Sequence, residues 1–349
     1  MSNVPQSNRV LSGMRPTGQL HLGNYHGALR NWVDLQYQYP CFFFVADWHA
    51  LTTHYDDPSI IETSTWDMVI DWLAAGVDPE KATLFIQSKV PEHAELHLLL
   101  SMNTPLSWLE RVPTYKDQQE KLSDKDLGTY GFLGYPLLQS ADILIYRATQ
   151  VPVGEDQVPH IELTREIARR FNHFYSKEKL LDAKGAEIGR KPILLEPKAL
   201  LTEASKMPGL DGMKMSKSYQ NTLALRETPE NISQKIRKMP TDPARVRRTD
   251  PGDPAKCPVW QLHEVYSDAT TKQWVQEGCK SAGIGCIQCK EPIIQAVTAE
   301  LAPMRERAAM YTENPALVRR IIDEGCDRAR SMANDTMKDV RRHMGLDYS

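Results

Sequence analysis

At 349 residues, with 41% hydrophobic and 25% charged side chains, the chain has an ordinary globular composition and enough length for two cores rather than one. A net charge of -3 excludes a globally basic nucleic-acid binder, and a mean hydropathy of -0.47 without any long apolar run excludes a membrane-spanning helix. Residues 1–10 are polar, include Pro5, and lack the apolar stretch of a secretion signal, so a cytoplasmic location without membrane attachment is expected.

The first half alternates strand and helix patterns. Residues 9–12 are β-prone and run into a Gly/Pro loop over 13–18. Apolar residues at helical spacing follow, through Tyr25, Leu29, Trp32 and Leu35. Residues 41–46 form a continuous apolar run of strand length, as in a parallel strand buried on both faces. Residues 65–75 read as helix, Ala82–Ile86 as strand, 136–145 as helix, Gln150–Val153 as strand and 160–174 as helix. This alternation predicts an α/β fold with a doubly wound, Rossmann-type parallel sheet. After about residue 223 the pattern changes. Residues 232–238, 259–266, 292–311, 315–330 and 333–344 read as helices, with no buried-strand run among them, and the charge balance turns from acidic to slightly basic. Two domains are expected: a nucleotide-binding one over 1–222 and an all-helical one over 223–349.

Two segments have the chemistry for handling phosphate. His21-Leu22-Gly23-Asn24 opens the first helix, where unsatisfied N–H groups and a partial positive charge suit an anion. Pro16, Thr17 and Gly18 precede it, and His21 and Asn24 share a face three residues apart, both able to donate to a phosphate oxygen. Lys214-Met215-Ser216-Lys217-Ser218, following Gly212, is a short cationic loop that can stabilise the charge of a pyrophosphate leaving group. Read singly, the first is a common turn and the second a solvated basic loop.

Together the two segments resemble the HIGH and KMSKS signatures of class I aminoacyl-tRNA synthetases. Asn at the last position of the first signature matches its form in tryptophanyl-tRNA synthetases. Residues 135–144 (Tyr-Pro-Leu-Leu-Gln-Ser-Ala-Asp-Ile-Leu) and 151–165 (from Val-Pro-Val-Gly-Glu-Asp-Gln) resemble the bacterial members of that family, and the resemblance runs along the whole chain. It implies a tryptophan–tRNA ligase: L-tryptophan activated by ATP with Mg²⁺, transfer to tRNA(Trp), and a homodimer. His21, Asn24, Lys214 and Lys217 would then carry the catalysis. Arg15, Pro16, Thr17, Gly23 and Asn24 would hold ATP from the first loop. Gly154, Glu155 and Asp156 would hold it from the strand end, and Met207 with Lys214, Met215, Ser216, Lys217 and Ser218 from the second loop. Asp142 would accept the indole N–H. That role suits a carboxylate set among apolar helix residues, which needs a donor partner. Tyr135 and Gln157 would hold the α-amino group, and Val151, Val153 and Leu11 would wall the pocket. Two positions depart from the family: Gln139, which would also line the tryptophan pocket and make it more polar, stands where Met is frequent, and Arg15 where Gln is common. A tyrosine-type synthetase and a non-catalytic synthetase-like paralogue are the alternatives. The tyrosine enzyme should place polar groups for a phenol hydroxyl, and the paralogue should show a broken signature.

Four of the six cysteines, Cys257, Cys279, Cys286 and Cys289, follow the spacing C-x21-C-x6-C-x2-C. In a reducing compartment such a cluster reads as metal ligands before disulfides, and it suits Zn²⁺ or an iron–sulfur cluster equally. The runs from Cys257 to Trp260 and from Glu277 to Cys289 resemble a subset of tryptophanyl-tRNA synthetases that carry a [4Fe–4S] cluster, which implies iron–sulfur. Cys41 reads as strand core and Cys326 as helix packing. Lys235, Arg237, Lys238, Arg245, Arg247 and Arg248 surround a single acid, Asp242, and read as a surface for the RNA backbone.

Overall fold

In a computed structural model, which describes residues 8–113, 115, 127–181, 185–201 and 207–348, parallel strands form the centre of the molecule. They are β1 (Val10–Met14), β2 (Cys41–Val45), β3 (Ala82–Ile86), β4 (Gln150–Val153) and, after an exposed antiparallel ribbon of β5 (Lys179–Leu181) and β6 (Glu187–Arg190), β7 (Lys198–Leu201). The order in the sheet is β3-β2-β1-β4-β7, all pairs parallel. This is the expected doubly wound sheet. The chain moves from β1 outward to β3, then returns to the other side of β1.

The helices on the first side are α1 (Leu22–Asn24), a π-helical segment (Tyr25–Leu29) that continues as α2 (Arg30–Leu35), α3 (Asp47–Leu51), α4 (Ser59–Ala75), α5 (Glu92–Ser101) and α6 (Leu106–Glu110). Then come α7 (Tyr130–Ile145) and α8 (Val158–Tyr175). Every residue of β2 and β3 is buried, which suits the unbroken apolar runs there. Trp32 of α2 stacks on Phe43 of β2 with ring centroids 4.2 Å apart, and Trp72 of α4 meets Trp32 edge-on. α7 starts earlier than the sequence pattern suggests. Thr129 accepts from the Phe132 N–H and caps it, and the helix runs through Pro136.

The remaining helices are α9 (Pro229–Arg237), α10 (Pro258–Tyr266), α11 (Ala269–Lys280), α12 (Cys286–Glu313) and α13 (Pro315–Met344). The two helices expected over 315–330 and 333–344 are one. No Gly or Pro interrupts residues 331–332, and the helix ends only at Gly345, in left-handed conformation at φ 76°. This last helix returns to the sheet. Lys89 pairs with Asp323 at 2.7 Å, Glu92 accepts from Asn334 at 2.9 Å, and Arg147 pairs with Asp339 at 2.5 Å. That packing explains how β3, an edge strand, is buried along its whole length. Among the described residues no helix is long and apolar enough to cross a membrane.

Gly325 lets α13 approach so closely. A Cβ there would fall inside the van der Waals radius of the Leu84 carbonyl oxygen in β3. Gly325→Ala must push the helix off the strand, and the expected loss is at the upper end of the ~1–3 kcal/mol typical of overpacking. A denaturant midpoint equal to that of the parent would contradict this contact.

Candidate active site

A cavity of ≈ 460 Å³ opens at the C-terminal ends of β1 and β4. The strand order reverses between these two strands, the position where open α/β sheets bind ligands. Leu11 and Arg15 reach it from β1 and the loop after it, Tyr135, Gln139 and Asp142 from α7, and Val151, Val153, Gly154 and Gln157 from β4 and its exit. The seven residues assigned from sequence to the amino-acid pocket thus lie around one cavity. Leu11, Tyr135 and Val151 are buried, and Tyr135 packs on His160 with ring centroids 5.7 Å apart.

Asp142 is 1% exposed, but it is not an isolated carboxylate waiting for a ligand. His49 Nε2–H donates to its Oδ2 at 2.7 Å, and Gln87 Nε2–H and His93 Nδ1–H donate to its Oδ1 at 2.8 and 2.6 Å. The Tyr146 hydroxyl in turn donates to His93 Nε2 at 2.7 Å. The expectation of an unpartnered Asp is corrected here: protein donors already stabilise the charge. Burial opposes ionisation, but the hydrogen bonds from His49 and His93 outweigh it and hold the carboxyl well below the usual carboxylate range. Burial, and then the Asp142 charge, push the Tyr146 phenol well above its ordinary value, so it stays a donor. A carboxylate offers about four lone-pair sites. Three are used, which leaves one on Oδ2, and Asp142 is among the residues that line the cavity. Sequence reasoning missed His49, Gln87 and His93. Two of them announce themselves by position: Gln87 directly follows the C-terminal end of β3, and His49 sits in α3, which opens two residues after β2, on the side where sites of this fold are built.

The two signature segments also meet. The His21 N–H donates to Asn24 Oδ1 at 3.1 Å, closing the opening turn of α1. A Cβ on Gly23 would come within 2.9 Å of the His21 ring and 3.4 Å of Met215 Cβ, so glycine admits both. Lys217 Nζ–H donates to the carbonyls of Gly18 at 2.8 Å and Thr17 at 3.1 Å, tying the second loop to the first. Burial, then the Lys217 charge, push His21 down to about 4. Burial lowers Lys217 as well, against the attraction of Asp71. Lys214 is exposed, and Met215 is buried with its N–H donating to Met207 O at 3.1 Å. The Asn221 side chain braces this loop, accepting from Ser216 N–H at 2.8 Å and donating to Lys214 O at 3.2 Å. The Ser218 side chain lies outside the described residues. Pro16 is buried and Thr17 half-buried in the first loop, while Glu155 and Asp156 stand exposed in the turn after β4.

A sequence profile of the class I tRNA synthetases for tryptophan and tyrosine matches residues 4–302. The chain belongs to this family. It is 61% identical to the Tryptophan–tRNA ligase of Ralstonia nicotianae, over 98% of this chain and 99% of the relative, and 52% identical to that of Thermotoga maritima over 97% and 99%. The solved tryptophanyl-tRNA synthetase of Campylobacter jejuni, complexed with ADP and tryptophan, superposes with a TM-score of 0.83 at 32% identity, covering 97% of this chain and all of that one.

The cysteines of this class I synthetase gather outside the cavity. All four are free thiols at or near the starts of α10 and α12 and the end of α11. Burial, and then the neighbouring Cys257, Cys279 and Cys286, push Cys289 up to about 12, so the thiols share one neighbourhood. The expectation of four converged ligands is corrected in one respect. Among the described residues no three His, Cys, Asp or Glu side chains converge as a ready metal site. The thiols face separate protein donors instead: Cys289 Sγ lies 3.4 Å from His263 Nε2 and Cys279 Sγ 3.9 Å from Arg245 Nη1. The basic stretch is also smaller than its sequence suggests. Arg245 is buried and donates to the carbonyls of Ile284 and Arg248, Lys235 pairs with Glu227, and Arg237 with Glu291 at 2.9 Å. Lys238, Arg247 and Arg248 remain at the surface.

Proposed function

We propose that the chain is a tryptophan–tRNA ligase of the cytoplasm, in which 1–222 forms the adenylate and 223–349 faces the tRNA. The observation that carries this reading is the buried Asp142 carboxyl, which lines the mixed polar and apolar cavity at the strand crossover with three of its roughly four acceptor positions taken by protein donors and one remaining. Indole N–H is a donor and nothing else, and it fits that position. Tyr135 and Gln157 take the α-amino group, and Val151, Val153 and Leu11 enclose the ring. High identity to curated tryptophan ligases over nearly the whole chain supports the same choice over a tyrosine enzyme.

The tryptophan carboxylate attacks the α-phosphorus of ATP in line, a P–O bond forms, and pyrophosphate leaves. The terminal adenosine hydroxyl of tRNA(Trp) then attacks the adenylate carbonyl and AMP departs. Positioning and charge stabilisation are the protein's work here. His21, kept neutral near pH 7, and Asn24 donate to phosphate oxygens. Lys217 and Lys214 face the leaving group, and Mg²⁺ brought in with ATP would supply further neutralisation of the phosphate charge. Gly154, Glu155 and Asp156 hold the ribose side, and Arg15 adds a cation near the phosphates. Lys238, Arg247 and Arg248 offer contacts to the RNA backbone. The active form is a homodimer. The four gathered thiols have the donor chemistry of a [4Fe–4S] site and would hold it through Cys257, Cys279, Cys286 and Cys289; when bound, it braces the starts of α10 and α12.

ATP–pyrophosphate exchange measured with each of the twenty amino acids tests the reading. Exchange with tryptophan alone is expected, and exchange with tyrosine, or with none, would overturn it. The two lysines should differ. Lys217→Ala loses both a cation and the tie between the signature loops, so it should lower the exchange kcat more than Lys214→Ala, with the tryptophan KM little changed in either. A raised KM at unchanged kcat would show that the loop acts in ground-state binding instead.

A further inference from the structure

Two helices of the C-terminal part meet the signature helix at one residue. α10 runs from Pro258, beside Cys257, to Tyr266, and α12 runs from Cys286 through Glu300, about four turns on. Both reach His26, two residues beyond Asn24. His26 Nε2–H donates to the Glu300 carboxylate at 3.2 Å, and the Tyr266 hydroxyl donates to the same carboxylate at 2.7 Å. The Tyr266 oxygen lies 3.4 Å from His26 Nε2, the two rings standing edge to face at 6.1 Å, and Tyr25 meets the His26 ring edge-on at 5.2 Å. The His26 side chain is 7% exposed.

His26 lies in the π-helical segment Tyr25–Leu29, closed where the Arg30 N–H reaches Tyr25 O. Such a turn is rarer and weaker than α-helix and collects at functional sites, where surrounding structure holds it. This one joins the turn built by His21 and Asn24 to Asn31 and Trp32, which wall the cavity. Its winding therefore sets how the signature turn is rotated against the site. None of His26, Tyr266 and Glu300 lines the cavity.

Taking the ligase reading as its basis, we propose that His26 is a positioning residue for adenylate formation: the grip of Tyr266 and Glu300 on its ring holds the π-turn, and with it His21 and Asn24, in register with the nucleotide. The same contact ties the helices that begin at the cysteines to the signature turn.

The test is tryptophan-dependent pyrophosphate exchange by the full chain and its variants, with melting curves alongside. His26→Ala and Glu300→Ala should lower kcat roughly 10–100-fold, the loss that small misplacements of reacting groups cause, with the tryptophan KM held within about twofold. His26→Gln, which restores a donor to Glu300, should recover most of the rate. Tyr266→Phe removes a single hydroxyl and gives a smaller loss in the same direction, which keeps the test open if an alanine variant does not fold. An unchanged kcat in folded variants, no rescue by His26→Gln, or a loss confined to the tryptophan KM would overturn the proposal. Absence of exchange in the parent would instead overturn the ligase reading.

Discussion

Asp142→Ala should abolish selective activation of tryptophan and also lower the stability of the fold. The substitution removes the acceptor for an indole N–H, a charge-assisted hydrogen bond of ~1.5–3 kcal/mol, or roughly 10–100-fold in kcat/KM. It also strips His49, Gln87 and His93 of their common partner inside the core. Breaking a buried, hydrogen-bonded charge network by removing one member costs ~3–5 kcal/mol. The two losses separate in Asp142→Asn, which keeps the shape but offers only one acceptor oxygen. That variant should melt closer to the parent and still fail to prefer tryptophan over phenylalanine. Exchange kinetics unaltered for tryptophan in either variant would remove Asp142 from the binding site.

How much of this was legible in the sequence follows from where the information sits. β2 and β3 were readable because every residue in them is buried, and β4 because its centre, Val151 and Pro152, is; that requirement is local. β7 was not: Lys198–Leu201 is short and partly exposed, and becomes a strand through its pairing with β4. α11 buries Val275 and little else, so its sequence has no apolar stripe to recognise. The pocket residues came through the resemblance, since seven positions spread between Leu11 and Gln157 show no pattern of their own. The Asp142 network came from neither source. His49, Gln87 and His93 are brought together only when β2 and β3 line up beside α7. The opposite error occurred at the basic stretch. Counting Arg245 as surface ignored that a guanidinium can cap backbone carbonyls inside the protein, as it does here for Ile284 and Arg248.

The largest effect outside the cavity is expected at the cysteines. Protein purified without oxygen should be brown and contain about four iron and four sulfide per chain, the content of a [4Fe–4S] site. Cys286→Ser should remove the iron and lower the melting temperature, because Cys286 opens α12 and Cys289 lies one turn on, where both helices of the His26 contact begin or pass. Tryptophan-dependent exchange should survive in part, since none of the four thiols lines the cavity. Charging of tRNA(Trp) should fall further than exchange, because Gly285 and Cys286 share a surface hollow with Arg247 and Arg248, two of the exposed cations of the basic stretch that suit an RNA backbone. Equal losses of exchange and charging would place the cluster's influence at the signature turn instead. Stoichiometric zinc without iron would establish a zinc site on the same thiols, and six alkylatable thiols with neither metal would leave the cysteines as packing residues.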